Sequence, residues 1–264
     1  MTEISAALVK ELRDATSAGM MDCKRALQET AGDFDAAVKL LREKGMAAAG
    51  KRADRETAEG KVGVRMDGAV GTLVAVGCET EPVSNNEEFL AFAKSVLEAV
   101  EQGGPEAVAQ LEEQRVALAG KLQENIQVVG ATRFEAADGE ELAQYVHPPA
   151  NKIGVLVKTK GGSPELARQV AMHISFSRPT YGKRDEVPAE LADAERAILE
   201  KLPEVQGKPE EVRGKIVEGM LNKRFYSESV LTEQPWIHDT GLTVQKALDA
   251  GGMELVEYAW YSVS

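Results

Sequence analysis

Four groups of residues in this chain have types and spacings that chemistry could use. GMAAAGKR, residues 45–52, comes within one residue of the phosphate-binding loop G-x-x-x-x-G-K-[ST]. Arg52 stands where a Ser or Thr hydroxyl must hold magnesium, and the stretch follows a helical pattern instead of a buried strand, so a connector is expected in place of a nucleotide site. Cys23 and Cys78 form no C-x-x-C pair and no metal-ligand spacing, which points to ordinary reduced thiols. His147, His173 and His238 are scattered, and none sits beside a nucleophile motif. His173 falls in an apolar helical pattern, where a satisfied packing role is expected. Cys78-Glu79-Thr80 lacks the surroundings of a cysteine enzyme. With no nucleophile, base and oxyanion donor converging, the expectation is a non-enzyme with no cofactor and no metal. The fourth group is VGCETEPVSNNEEF, residues 76–89, an acidic connection far longer than a strand-to-helix turn requires.

The elements that must hold that connection can be read from periodicity. Ile4, Ala7, Leu8 and Leu12 mark a first helix with Gly19 as its expected stop; Cys23, Ala26 and Leu27 mark a second; after Gly32-Asp33, Phe34, Ala37, Val38 and Leu41 mark a third that should end at Gly45. Three short helices make a small core, so this module is expected to present a surface. Met20, Met21 and Lys24 at its turn, with Lys10 on the first helix, suit docking; the alternative is a methionine that plugs the core. RADRETAEG reads as a solvated connector. KVGVRMDGAVGTLVAV is a hairpin turning at Asp67-Gly68, followed by a helix inward at Phe89, Phe92, Ala93, Val96 and Val100, a helix over about 105–124, and strands from Ile126 to Glu135 and at QYVH.

The second half repeats part of this plan. NKIGVLVKTKGGSPELARQVAMHI runs strand, turn, helix, with Ser163 as N-cap and Pro164 at the first helical position. Laying Gly71-Thr72-Leu73-Val74 on Gly154-Val155-Leu156-Val157 leaves the first strand-to-helix connection seven residues longer than the second. The architecture closes the same gap with GGSP, so function is the natural reason for the extra residues, against the alternative of a tolerated insertion. Residues 184–226 read as a helical hairpin, one arm inward at Leu191, Ala194, Ile198 and Leu202, the other at Val212, Ile216, Met220 and Phe225, turning at Gly207-Lys208-Pro209. A helix at about 243–250 and a strand at 254–262 close the chain. The class is therefore α+β, divided as residues 1–54, 55–141 and 142–264, with the hairpin inserted in the last.

Composition narrows the partners. The net charge of −12, from 31 basic and 43 acidic residues, opposes a phosphate backbone, so no direct nucleic acid contact is expected. No apolar run reaches the ~18 residues of a membrane span, and MTEISAALVKELRD carries acids where a secretory leader would be basic and then apolar. No membrane contact and a cytoplasmic location are expected.

LVKELRDATSAGMMDCKRALQETAGDFDAAVKLLREKG resembles the N-terminal module of the bacterial elongation factor Ts family, and the likeness continues in order through GCETEPV, NKIGVLV, VAMHI, KIVEGMLNK and TEQPW. It covers essentially the whole chain. The resemblance implies a three-helix ubiquitin-associated-like domain, a core of two similar antiparallel-sheet halves with an inserted hairpin, and guanine nucleotide exchange on the GTPase elongation factor Tu. It further implies a homodimer or a 2:2 complex as the assemblies to consider. It places partner contacts at Lys10, Met20, Met21, Lys24 and, against a different GTPase domain, His147. It gives the long connection the task of dislodging the GTPase's magnesium. The family loop reads Thr-Asp-Phe-Val, whereas this chain has Thr80-Glu81-Pro82-Val83, which keeps a carboxylate and replaces an aromatic wedge by proline. The rival expectation is an adaptor that binds protein through the three-helix module alone.

Overall fold

The computed structural model of the chain describes residues 4–16 and 18–263. Helices α1 (Ala6–Thr16), α2 (Met20–Glu29) and α3 (Phe34–Arg52) enclose a small core of Val9, Leu12, Cys23, Ala26, Leu27 and Ala37. Two expected punctuation marks differ. Gly19 does not stop α1 in a left-handed conformation: α1 ends at Thr16, and Gly19 is the N-cap of α2 with φ −59°. The left-handed residues are Ala31 and Gly32, after which Asp33 caps α3 by accepting from Ala36 N at 2.9 Å. Nor does α3 stop at Gly45. The methionine and alanines that follow are strong helix formers, and they carry the helix through a glycine penalty of about 1 kcal/mol to Arg52. GMAAAGKR is thus the last part of a helix, its backbone committed to helical hydrogen bonds, and it forms no phosphate cradle.

Two three-stranded antiparallel sheets follow. The first has order β1 (Glu59–Asp67), β2 (Val70–Cys78), β3 (Gln127–Glu135); the second β4 (Glu140–Val146), β5 (Ile153–Gly161), β8 (Met253–Ser262). The central strand β2 is almost wholly buried, and β5 is buried from Gly154 to Val157, which is why these stretches read as continuous apolar runs. Their inner faces meet each other through Val62, Leu73, Ala75, Leu156 and Val263. On the outer face of the first sheet lie α5 (Glu87–Gly103) and α6 (Glu112–Leu122), burying Phe89, Phe92, Val96, Val100 and Leu118 against Val74 and Val76. On the second, α7 (Pro164–Ser177) buries Val170, Ala171 and Ile174 against Val155 and Val157.

The repeat read from the sequence recurs in the register. Pairing shifts between Ala75 and Val76 on β2, and at the matching place on β5, between Lys158 and Thr159. Each bulge leaves one valine of the outer strand without a cross-strand partner, Val129 in β3 and Val256 in β8.

Between α7 and β8 lies the helical insertion: α8 (Ala189–Glu200), a single turn α9 (Pro203–Gln206) and α10 (Glu210–Leu221), then a π turn and the one-turn α11 (Ser227–Ser229). The arms pack, but on neighbouring positions. Ala192, Leu199, Val205, Val217, Leu221 and Tyr226 are buried, whereas Leu191, Ile198 and Val212, expected inward, are 48%, 57% and 41% exposed. Leu191-Ala192 and Ile198-Leu199 put apolar residues on two adjoining faces of α8, and period alone does not choose between them. The short hairpin β6 (Pro235–Trp236) and β7 (Asp239–Thr243), with α12 (Val244–Ala250), leads into β8. Among the described residues, no helix is long and apolar enough to cross a membrane.

Candidate functional site

The long connection after β2 is built, not loose. Residues 81–84 form one helical turn, α4 (Glu81–Ser84), with Pro82 in its first positions, where a missing N–H costs nothing and the fixed φ is already helical. Ser84 is buried and its hydroxyl donates to Glu81 O at 2.9 Å; Asn85 Nδ2 donates to the same carbonyl at 3.1 Å. Asn86 then caps α5, accepting from Glu88 N at 2.8 Å. Val83 packs against the core under α5, so of the four expected loop residues Val83 is the anchor, while Thr80, Glu81 and Pro82 face solvent. In the second half, β5 reaches α7 with only Gly162 and Ser163 between them, and α4 has no counterpart.

The base of this knob is fixed by residues that sequence reasoning missed. Glu124 Oε2 accepts from the backbone N–H of both Glu79 and Thr80 at 3.0 Å, and its Oε1 accepts from the Thr80 hydroxyl. In return, Glu79 Oε1 accepts from Asn125 N at 2.6 Å and from Arg55 Nη1 at 3.3 Å. Asn125 Nδ2 donates to Arg55 O at 2.8 Å, and Gln127 Nε2 to Ala53 O at 2.9 Å. The connector from the three-helix module, the start of the knob and the turn before β3 are therefore one hydrogen-bonded junction. The expected helix over 105–124 concealed it: residues 105–111 form a 3₁₀ helix, α6 ends at Leu122, and Gln123 is left-handed (φ 62°), which turns Glu124 out of the helix and toward Thr80. Nothing in composition or spacing pairs positions 79 and 124.

The remaining expected residues are dispersed over the surface. Met20 and Met21 open α2 at 50% and 65% exposure, so neither plugs the small core; Lys24 and Lys10 are exposed on α2 and α1. The module is held to α6 by Arg42, 3.0 Å from Glu113, and by Arg52 Nη2 donating to Gln123 Oε1 at 2.7 Å. A cleft of about 800 Å³, lined partly by Val38, Leu41, Val116 and Ala117, lies between the two. His147 is exposed just after β4, its Nδ1 3.0 Å from the Tyr145 hydroxyl. The turn it begins is joined to β1 by Lys152 Nζ, 2.6 Å from Glu59 Oε1, and Glu59 pairs with Cys78 at the base of the knob.

The thiols and the buried imidazole have structural surroundings. Cys23 and Cys78 are buried and free. Burial first, then the neighbouring Glu124 charge, pushes the Cys78 thiol up to about 12, which keeps it protonated. His173 is fully buried, stacked on Trp236 with ring centroids 5.2 Å apart; its Nε2 donates to Gln234 Oε1 at 2.9 Å and its Nδ1 accepts from Ile237 N at 3.4 Å. Burial lowers its pKa. Among the described residues, no group of three or more His, Cys, Asp or Glu could hold a metal ion.

Comparison with known proteins agrees with the resemblance. The family profile described as Elongation factor TS matches residues 79–264, beginning at the base of the knob. Curated relatives named Elongation factor Ts include those of Thioalkalivibrio sulfidiphilus, 42% identical over 98% of this chain and 92% of the relative, and of Alkalilimnicola ehrlichii, 41% identical over the same shares. That of Xanthomonas axonopodis pv. citri is 42% identical over 97% of this chain and 90% of the relative. By profile and by near-full-length identity, the chain belongs to the elongation factor Ts family of translation elongation factors.

Proposed function

We propose that the chain is the guanine nucleotide exchange factor of elongation factor Tu, working by binding and carrying no covalent chemistry of its own. The observation that carries this reading is the knob at Glu81-Pro82: an ordered, exposed, acidic turn that one half of the core has and the other lacks. An exposed carboxylate on a fixed turn is suited to approach a bound magnesium ion and to repel the phosphates that the ion neutralises. Proline presets the turn, so little ordering entropy is lost on contact, which offsets part of the apolar contact that an aromatic wedge would make.

Linkage supplies the rest. A chain that binds the nucleotide-free GTPase more tightly than the GDP form must weaken GDP by the same factor, and GTP then refills the site. In this reading the three-helix module, taken as ubiquitin-associated-like, docks through Met20, Met21, Lys24 and Lys10. The half containing His147 grips a second GTPase domain. A homodimer or a 2:2 complex is compatible with that grip, the place of action is the cytoplasm, and no cofactor, nucleic acid or membrane takes part. Release of fluorescent GDP from elongation factor Tu, with and without the chain, tests it: exchange requires acceleration that saturates with chain concentration.

The exposure of Met20 and Met21 favours one other reading, an adaptor that binds protein through the three-helix module while the core only supports it. An adaptor would bind elongation factor Tu, or another protein, and leave the rate of GDP release unchanged.

A further inference from the structure

We infer that Glu124 is a positioning residue for exchange: through its hydrogen bonds to Glu79 and Thr80 it holds the knob at the height and angle from which Glu81 and Pro82 act. This rests on the exchange reading above. At the knob's entry the Glu79 carboxylate accepts from Asn125 N and Arg55, and the Cys78 thiol donates to Thr80 O at 3.4 Å, but Glu124 is the group that takes the backbone N–H of both entry residues. Thr80 is the residue before α4, in the N-cap place, yet its side chain caps nothing in α4; the hydroxyl is drawn away to Glu124 Oε1. The two N–H groups that precede the turn, of Glu79 and Thr80, both point at Glu124 Oε2. One carboxylate thus collects three donors from two successive residues, which fixes the backbone direction at the point where the chain leaves β2. A carboxylate accepting backbone N–H groups makes the stronger class of hydrogen bond.

The far side of the junction shows why Glu124 can act as an anchor. Asn125 N is held by Glu79, and the Asn125 amide is held by the connector carbonyls of Ala53 and Arg55. Asn125 is itself buried. Glu124 therefore sits on a turn tied to the connector, and a load on the three-helix module reaches the entry of the knob through Arg55, Glu79, Asn125 and Glu124. The entry and the docking module are set relative to each other before any partner arrives, which is the preorganisation that a small displacement would spoil.

Four proteins test this by fluorescent-GDP release from elongation factor Tu, each titrated to saturation: the parent, Glu124→Ala, Glu124→Gln and the double variant Glu81→Ala/Pro82→Ala. Glu124→Ala is expected to lower the maximal release rate about 10-fold, with the half-saturating concentration within about 2-fold, and amide hydrogen exchange at Thr80 should lose protection. Glu124→Gln should recover most of the rate, because its amide oxygen can take both N–H groups and its NH₂ can donate to Thr80 Oγ1. An unchanged maximal rate for Glu124→Ala overturns the inference, as does a loss confined to half-saturation, or a Gln variant as slow as the Ala variant. If Glu124→Ala does not fold, Thr80→Ala, which removes only the hydroxyl arm, should slow maximal release about 3-fold, and no slowing overturns the inference. The double variant separates the two levels. If it releases GDP like the parent, the knob reading itself fails; if it is slow while Glu124→Ala is not, only the positioning role fails.

Discussion

Gly71 on β2 lies under Leu156 on β5: a Cβ added at Gly71 would stand 2.8 Å from Leu156 Cδ1 and 3.1 Å from Leu142 Cδ1. The contact is reciprocated. A Cβ at Gly154, the residue that the repeat lays on Gly71, would stand 3.0 Å from Leu73 Cδ1 and 2.3 Å from Val62 Cγ1. Leu73 matches Leu156 under the same superposition, and Val62 matches Leu142 by strand pairing, because Val62 pairs with Ala75 and Leu142 with Lys158, which the superposition lays together; the two halves meet through one contact used twice. The core that carries the knob is rigid because neither sheet can slide without driving a glycine backbone into a leucine.

Both glycines should therefore be intolerant, and unequally so. Gly71→Ala meets the ends of two leucines, which can shift rotamer, and should cost about 1–2 kcal/mol; Gly154→Ala meets β-branched Val62, which cannot, and should cost about 2–3 kcal/mol or more. Urea unfolding of the two variants checks the order, and Gly154→Ala as stable as the parent would contradict it.

The knob and the short connection should show opposite profiles. Glu81→Ala/Pro82→Ala alters exposed side chains, so unfolding free energy should move by no more than about 0.5 kcal/mol, while GDP release at saturation should fall by about 10-fold or more. Ser163→Ala removes the cap that accepts from Leu166 N at 3.2 Å and should cost about 1 kcal/mol of stability with no change in exchange. Equal effects on release from the two variants would make the longer connection a tolerated insertion.

Met20→Ser/Met21→Ser should leave the melting temperature within about 2 °C of the parent, because neither side chain contributes to the small core, and should weaken binding to elongation factor Tu by about 10-fold. Calorimetry measures the affinity; an unchanged value removes the docking patch.

His173 gives the second half a pH dependence of stability. Burial lowers its folded pKa below the unfolded value of about 6.5, and the neutral ring is the form that accepts from Ile237 N. Its contribution is therefore complete above about pH 6.5 and is lost as pH falls toward the folded pKa. The unfolded chain takes up the proton that the folded chain refuses. Urea midpoints at pH 8 and pH 5.5 should differ more for the parent than for His173→Gln, and equal differences would place the dependence elsewhere.

What the sequence made legible follows physical scale. The first hairpin was legible because Asp67-Gly68 announces its turn, and Ser163-Pro164 declared a helix start because cap chemistry is local. The repeat was readable through Gly71 and Gly154, which no side chain could replace in that contact. Failures came where two local answers were close in energy. Gly45 looked like a stop, but helix-forming residues on either side and packing on α6 carried α3 past it. Leu191 and Ile198 looked inward because α8 carries two adjoining apolar faces. The junction of Glu79, Glu124 and Asn125 was invisible because its bonds join residues far apart in the chain, and a glutamate offers no spacing signal to announce that it will collect backbone donors.

The most direct test of the exchange account is stopped-flow release of fluorescent GDP from elongation factor Tu at saturating chain, with magnesium present and absent, for the parent and for Glu81→Ala/Pro82→Ala. The parent should accelerate release by at least the 5- to 150-fold typical of a coupling of about 1–3 kcal/mol, and the variant should lose most of that acceleration when magnesium is present and less when it is absent. Release at the spontaneous rate in the presence of the parent, in both conditions, would contradict the account and leave a protein that binds without exchanging.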